Sequence, residues 1–278
     1  MIPMLKTLSR TLGGVALCAL LAAPALAADI APGSTDADAI MKAMENRSEG
    51  DNVKGRLVMT LIDKSGAQRQ RVVRSWIKNF DGGTRQLMIF ESPADVANTG
   101  LLSVDYDDGA KDDDQRLYLP SLKETTRIAS GDRSGSFMGT DLSFADMTRA
   151  DPSHYSYKML DASAKVGGED VWLIESRPTT DKAKAETGYL KTHIWVSKSK
   201  LVPLQIQAWV IKGKRLKQIQ FKDYEKKGDA WVPRTIQART LKGKKVQSMT
   251  KIEFTELEHD DPSVTDELFT ERRLEKGL

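Results

Sequence analysis

The densest run of ionisable side chains is DYDDGAKDDD, Asp105 to Asp114, with six aspartates in ten residues. Clustered carboxylates suit a hard divalent cation. A calcium loop of the EF-hand type begun at Asp105 needs glycine sixth and a bidentate glutamate twelfth. Here Gly109 is fifth and Arg116 twelfth. Asp-Gly between apolar runs is turn chemistry, so a solvated hairpin tip is the better reading than a weak cation site. Ser-x-x-Lys, the spacing of a serine nucleophile with a lysine base, occurs at Ser75–Lys78 and Ser197–Lys200. Both pairs fall on or at the end of strand-like runs, where residues three apart point to opposite faces. Gly131, Gly135 and Gly139 recur every four residues, but Thr140-Asp141 stands where a phosphate loop requires Lys-Ser or Lys-Thr. His154, His193 and His259 are scattered, and neither Gly-x-Ser-x-Gly nor His-Glu-x-x-His occurs. The sequence predicts no catalytic site, no metal and no cofactor.

The elements that carry these residues are mostly strands. RLVMTLI, RVVRSWIKNF, RQLMIFES, LLSVDY, RLYLP and TTRIA lie between Arg56 and Ala129, separated by Lys64-Ser65-Gly66, Asp81-Gly82-Gly83 and Asp107-Asp108-Gly109. YSYKML, VWLIES, YLKTHIWV, LVPLQIQAWVIK, RLKQIQFKDYEK, WVPRTIQARTL and VQSMTKIEFTEL follow in the second half. Two segments read as helices: Thr35 to Ser48, with Ala37, Ile40, Met41 and Met44 on one face, and Ser263 to Glu275 after Pro262. In KIEFTEL the buried set Ile252 and Phe254 continues at Leu257 only after a change of phase. About a dozen antiparallel strands curl if they share one sheet, leaving an apolar inner face that a single helix fills only in part. The expected fold is mainly β, a curled antiparallel sheet, with no linker or repeat to divide residues 28–278 into more than one domain.

The first residues carry Lys6 and Arg10, then a short apolar run that ends in Ala25-Leu26-Ala27. This is the pattern of a cleaved export signal over residues 1–27, with cleavage near Ala27. Gly13, Gly14 and Pro24 within the run argue against a membrane span. The only cysteine, Cys18, lies inside the signal, so the remaining chain has no disulfide and must be held by its core. Net charge falls from +3 to +1 when Lys6 and Arg10 are removed, which is poor ground for a nucleic-acid partner. Met59, Met88, Met138, Met147, Trp76 and Trp209 are adaptable or broad side chains suited to an irregular apolar surface. The stretch SGSFMGTDLSFADM, Ser134 to Met147, stands apart from the alternating pattern. Gly135 and Gly139 free the chain around Phe137 and Met138, and Thr140 or Asp141 is placed to cap a short helical turn carrying Leu142, Phe144 and Met147.

That stretch and RLYLPSLKETTRI, Arg116 to Ile128, resemble the LolA-like outer-membrane lipoprotein-sorting family. Its larger members have a Tyr-Leu-Pro strand, a short basic turn, and a Phe-Met-Gly-Thr-Asp stretch before a small helix. Phe90-Glu91-Ser92-Pro93-Ala94-Asp95 and Gly100-Leu101-Leu102 extend the likeness. The resemblance implies an incomplete, half-open β-barrel whose helices cover an apolar cavity for acyl chains, and a periplasmic carrier that is not an enzyme. Its cargo would be a lipid or lipoprotein, its partners an inner-membrane transporter and an outer-membrane acceptor. The alternative is a non-carrying lipid sensor or adaptor for an exporter of the resistance-nodulation-division type. Leu57, Met59, Leu61, Trp76, Met88, Phe90, Leu117, Leu119 and Ile206 are the expected cavity residues, with Phe137, Met138, Phe144 and Met147 as a flap or fixed plug at its mouth. A one-residue slip turns any strand's set to the opposite face.

Overall fold

The computed structural model describes residues 30–47 and 50–278, so the expected export signal, with its cleavage point near Ala27, lies outside the described residues. The first half of the chain forms β1 (Asn52–Asp63), β2 (Gln68–Phe80), β3 (Gly83–Ser92), β4 (Gly100–Tyr106), β5 (Asp114–Leu119) and β6 (Glu124–Arg127). The second half forms β7 (Tyr155–Val166), β8 (Glu169–Pro178), β9 (Tyr189–Ser197), β10 (Pro203–Val210), β11 (Arg215–Lys227), β12 (Ala230–Lys242) and β13 (Lys245–His259). Each half is a run of antiparallel hairpins, and the halves join where β1 pairs with β13. The spatial order is therefore β6-β5-β4-β3-β2-β1-β13-β12-β11-β10-β9-β8-β7, a mainly β, thirteen-stranded antiparallel sheet that does not close.

The sheet curls strongly. One cavity is lined both by Met88 of β3 and by Tyr157 of β7, which are nine strand steps apart. On a flat sheet those strands would stand about 43 Å apart. Bulges help it bend: the β1–β13 register shifts between Arg56 and Leu57, which face Glu256 and Phe254, leaving Thr255 unpaired. This is the phase change visible in KIEFTEL.

The expected N-terminal helix is α1 (Ala37–Glu45), where the Asp36 carboxylate caps the Ala39 N–H at 2.9 Å. Ala37, Ile40, Met41 and Met44 pack onto Trp172, Ile174, Ile194 and Val196 of β8 and β9. The expected C-terminal helix is divided. A single turn at Asp266–Leu268 is followed by α3 (Glu271–Lys276), which Thr270 restarts by capping Arg273. A third helix was not anticipated, α2 (Asp181–Thr187). Its signals are at its ends: Thr180 accepts from the Ala183 N–H, and Gly188 closes it at φ +70°.

The C-terminal segment covers the outer face of β2–β4. Leu274, fully buried, packs with Trp76, Leu87, Ile89 and Leu102. Here the structure corrects the sequence reading: Trp76 belongs to this outer cluster, because Val73, Ser75 and Ile77 are the β2 residues on the inner face. A Cβ on Gly100 would lie 2.5 Å from Leu274 Cδ1, which accounts for glycine at the start of β4. Leu274→Ala is predicted to lower stability by about 2–5 kcal/mol in urea titrations, since it hollows a cluster with no slack.

Candidate functional site

The inner face encloses a cavity of about 530 Å³. Its floor is aliphatic and aromatic, from Leu57 and Met59 of β1 through Ile252 and Phe254 of β13, Ile236 of β12, Ile219 and Phe221 of β11 and Ile206 of β10. Met41 and Met44 of α1 close one side, and Met88 of β3 the other. These positions alternate along each strand, so the pleat alone puts them on one surface. Such a lining offers no hydrogen-bond specificity over most of its area and suits hydrocarbon.

Of the cavity residues expected from sequence, Leu57, Met59, Met88 and Ile206 line this space. Leu61 and Phe90 lie on the same inner face but inside the solid core at one end. Leu117 and Leu119 are half-buried on β5, next to the sheet edge, and do not line the cavity. Trp76, as noted, lies outside. Sequence reading missed the β11–β13 contribution, Ile219, Phe221, Ile236, Ile252 and Phe254. Alternation was visible there, but nothing in it said which strands the plug would cover and which it would leave open.

The stretch from Ser134 to Met147 fills one end of the sheet. Phe137 is fully buried, with ring centroids 6.0 Å from Phe90 and 5.7 Å from Phe144. Met138, Phe144 and Met147 pack against the same core, and of the four expected mouth residues only Met147 lines the cavity. Asp141 is not a helix cap. Its carboxylate accepts from Thr240 of β12 at 2.6 Å and from Ser248 and Thr250 of β13 at 2.5 and 2.9 Å. Asp146 accepts from Lys217 of β11 at 2.6 Å, Tyr189 of β9 at 2.7 Å, and both the N–H and hydroxyl of Ser143. On the other wall Gln115 of β5 donates to the Phe144 carbonyl at 3.0 Å, and Arg71 of β2 to the Met138 carbonyl. The segment is thus a plug stapled to both walls. Burial alone would push Asp146 up, but Lys217 and the donors around it hold the carboxyl below its ordinary value. Tyr189 is driven well above the usual tyrosine range, by burial first and by the Asp146 charge second.

A polar cleft of about 330 Å³ opens beside the cavity, and Glu45, Ala145, Thr148, Arg149 and Tyr155 border both. The Asp105–Asp114 run lies here. Among the described residues no set of three or more His, Cys, Asp or Glu side chains is arranged to hold a metal. Arg133, almost wholly buried, instead pairs with Glu186 and donates to the Asp113 carbonyl. Asp105 is pushed up to about 7 by burial and by the neighbouring Asp113.

A family model described as "-like: Uncharacterized protein" matches residues 82–276. Among solved structures, a domain from Vibrio parahaemolyticus designated an outer membrane lipoprotein-sorting protein is 27% identical. It aligns with a TM-score of 0.77 over 86% of this chain and 98% of that one. The chain belongs to the family of that model and has the LolA-like fold of outer-membrane lipoprotein-sorting proteins. A DUF1329 family protein from Desulfovibrio piger is similar at 26% identity and a TM-score of 0.76, covering 85% of this chain and 97% of that one. A LolA superfamily protein from Nitrosomonas europaea shares the fold at 17% identity and a TM-score of 0.62, over 84% of this chain and 96% of that one. No curated protein matches in sequence.

In this LolA-like chain the motifs that carry the resemblance gather around the plug. Phe90 packs on Phe137, Arg116–Ile128 forms the hairpin at the sheet edge, and Phe137–Asp141 is the plug itself. Two predictions follow from the charges. Lys217→Met leaves Asp146 buried and unpaired, and is expected to cost about 3–5 kcal/mol at pH 7 by chemical denaturation. Asp105 behaves oppositely. Its folded value of about 7 lies above the ordinary 3.8, so its contribution to stability is complete below pH 3.8 and is lost as the pH rises through 7. Asp105→Asn is therefore predicted to stabilise the protein at pH 8 by on the order of 2–4 kcal/mol and to leave it unchanged near the low end of that window, as read from melts across pH.

Proposed function

We propose that the cavity holds the acyl chains of a lipid or lipoprotein, and that the protein carries them through the periplasm toward the outer membrane without a catalytic step. The observation that supports this reading is the apolar floor of Leu57, Met59, Ile206, Ile219, Ile236 and Ile252, assembled from strands of both halves of the sheet. The designation of its Vibrio parahaemolyticus relative as a lipoprotein-sorting domain agrees with it. Export through a signal cleaved near Ala27, a single functional domain over residues 28–278, an inner-membrane donor and an outer-membrane acceptor complete the proposal.

The magnitudes suit exchange. Burying a methylene contributes about 0.8 kcal/mol, so ten of them give about 8 kcal/mol. That corresponds to roughly micromolar affinity before the cost of ordering the chain. Cargo held at that strength passes to an acceptor with a deeper or more complementary groove, and transfer then runs on the difference in affinity between the two proteins.

Native mass spectrometry of protein purified gently from its own compartment, followed by lipidomics, tests the reading. Near one discrete lipid or acylated peptide per chain is the expected result. An empty protein across such preparations would overturn carriage in favour of the adaptor for a membrane exporter. Ile206→Glu, which puts an unpaired charge on the cavity floor, is predicted to reduce copurifying lipid at least about tenfold while the circular dichroism spectrum is retained.

A further inference from the structure

The plugged end of the sheet carries an unbalanced cluster of positive charge. Two neighbouring hairpin turns meet there, Ile211–Lys214 between β10 and β11, and Gly243-Lys244 between β12 and β13. They and their flanks supply Lys212, Lys214, Arg215, Lys242, Lys244 and Lys245, all exposed. From Val210 to Lys222, and from Trp231 to Ile252, there is no aspartate or glutamate. Among the described residues none of the six makes an ion pair. Asp141, the acid beneath them, is buried and engaged with Thr240, Ser248 and Thr250. The adjoining β1–β2 turn adds Lys64 and Arg69 against Asp63.

The sheet register makes this arrangement costly. Lys242 stands directly opposite Lys245, and the pairing of Leu216 with Leu241 sets Arg215 abreast of Lys242. Like charges in directly opposed positions destabilise a sheet, and here nothing in the fold compensates them. The far ends of the same strands are different: around the β11–β12 turn Asp223, Glu225 and Asp229 balance Lys222, Lys226 and Lys227, and Glu256, Glu258, Asp260 and Asp261 lie at the end of β13. Strands β11–β13 therefore run from a balanced or acidic end to a basic one. At the basic end the exposed hydrophobic side chains include Ile211 at 45% and Val246 at 49%. Leu190, also exposed, lies alongside, since the Ile211 N–H donates to the Gly188 carbonyl at 2.9 Å just before β9.

We propose that this end of the sheet docks on an anionic phospholipid bilayer, with the lysines and arginine among the headgroups and Ile211 and Val246 at the acyl boundary. Basic residues interleaved with exposed aliphatics on adjacent turns match the chemistry of that surface, negative headgroups over hydrocarbon. An acidic protein face would complement the charge but leave the aliphatic tips unexplained. The inference is independent of what occupies the cavity, and it brings the plug to the membrane, because Asp141 is tied one turn-length below Lys242 and Lys245.

Vesicle flotation tests it. The purified protein is mixed with vesicles of phosphatidylglycerol and phosphatidylethanolamine, and in parallel with phosphatidylcholine alone. Flotation with the anionic vesicles only, abolished by roughly 0.5 M NaCl, is the expected result. Lys242→Glu with Lys245→Glu should lower binding on the order of tenfold or more, while Lys226→Glu with Lys227→Glu, the same charge change at the opposite end, should not. Ile211→Ser with Val246→Ser should weaken binding that persists at intermediate salt. No flotation with anionic vesicles, or equal loss in the two charge-reversal variants, would overturn the proposal. Lipid bound per chain, measured on the same variants by native mass spectrometry, separates a failure of docking from a failure of the cavity to hold cargo.

Discussion

The pairing of β1 with β13 fixes the rest of this molecule. Because the first and last strands meet in the middle of the sheet, β6 and β7 become its two outer edges although they are consecutive in the chain. Residues 128–154 must therefore run from one edge to the other across the open side. A crossing of that kind passes over the apolar inner face, so it either carries side chains that fill the space or leaves backbone groups without partners. Phe137, Leu142 and Phe144 fill it, and Asp141, Asp146, Gln115 and Arg71 satisfy its polar groups. What the plug does not fill, and α1 does not cover, is the cavity.

The plug is held in a way that favours uniqueness over bulk stability. A buried carboxylate such as Asp146 is expensive to desolvate, and its contacts with Lys217, Tyr189 and Ser143 largely offset that cost instead of adding a large surplus. Lys217 and Tyr189 come from different strands, β11 and β9. A sheet slipped by one residue would turn Lys217 or Tyr189 to the outer face and strand the charge, so the polar ties reject wrong registers that an apolar core would tolerate. The apolar floor has the opposite character. Its methionines are unbranched and flexible and no polar tie fixes them, so this part of the inner face tolerates repacking that the plug does not.

Charge follows the same axis. On β11–β13 the charges at one end are balanced or acidic, while the turns at the other end, above the plug, carry lysines and an arginine with no acid among them, in a chain whose net charge is close to neutral. The hydrocarbon-lined interior and the outer polarity are produced by the same pleat, one from alternate residues within strands and the other from the turns between them.

Much of this was legible in the sequence. Strand runs and turn residues placed the sheet, the Ala37, Ile40, Met41, Met44 stripe placed α1, and the phase change before Leu257 marked the bulge at Thr255. Such features are local, set by periodicities of 2 and 3.6 and by turn chemistry, and a single chain displays them directly. Trp76 shows the limit. Its neighbours alternate correctly, but both faces of β2 are covered, one by the plug and one by Leu274 and Phe269, so hydrophobicity could not say which face was inner. Asp141 and Asp146 show it again: their strand partners lie 43 to 109 residues onward, from Tyr189 through Lys217 to Thr250, and no local pattern announces such ties. The basic turns were plain as residues, yet their convergence on one end depends on the register of β10–β13. Composition and periodicity determined that a curled sheet with an apolar face would form. Only the order in which distant strands pair decided where the chain crosses that face, and hence what is plug, what is cavity and what is outer surface.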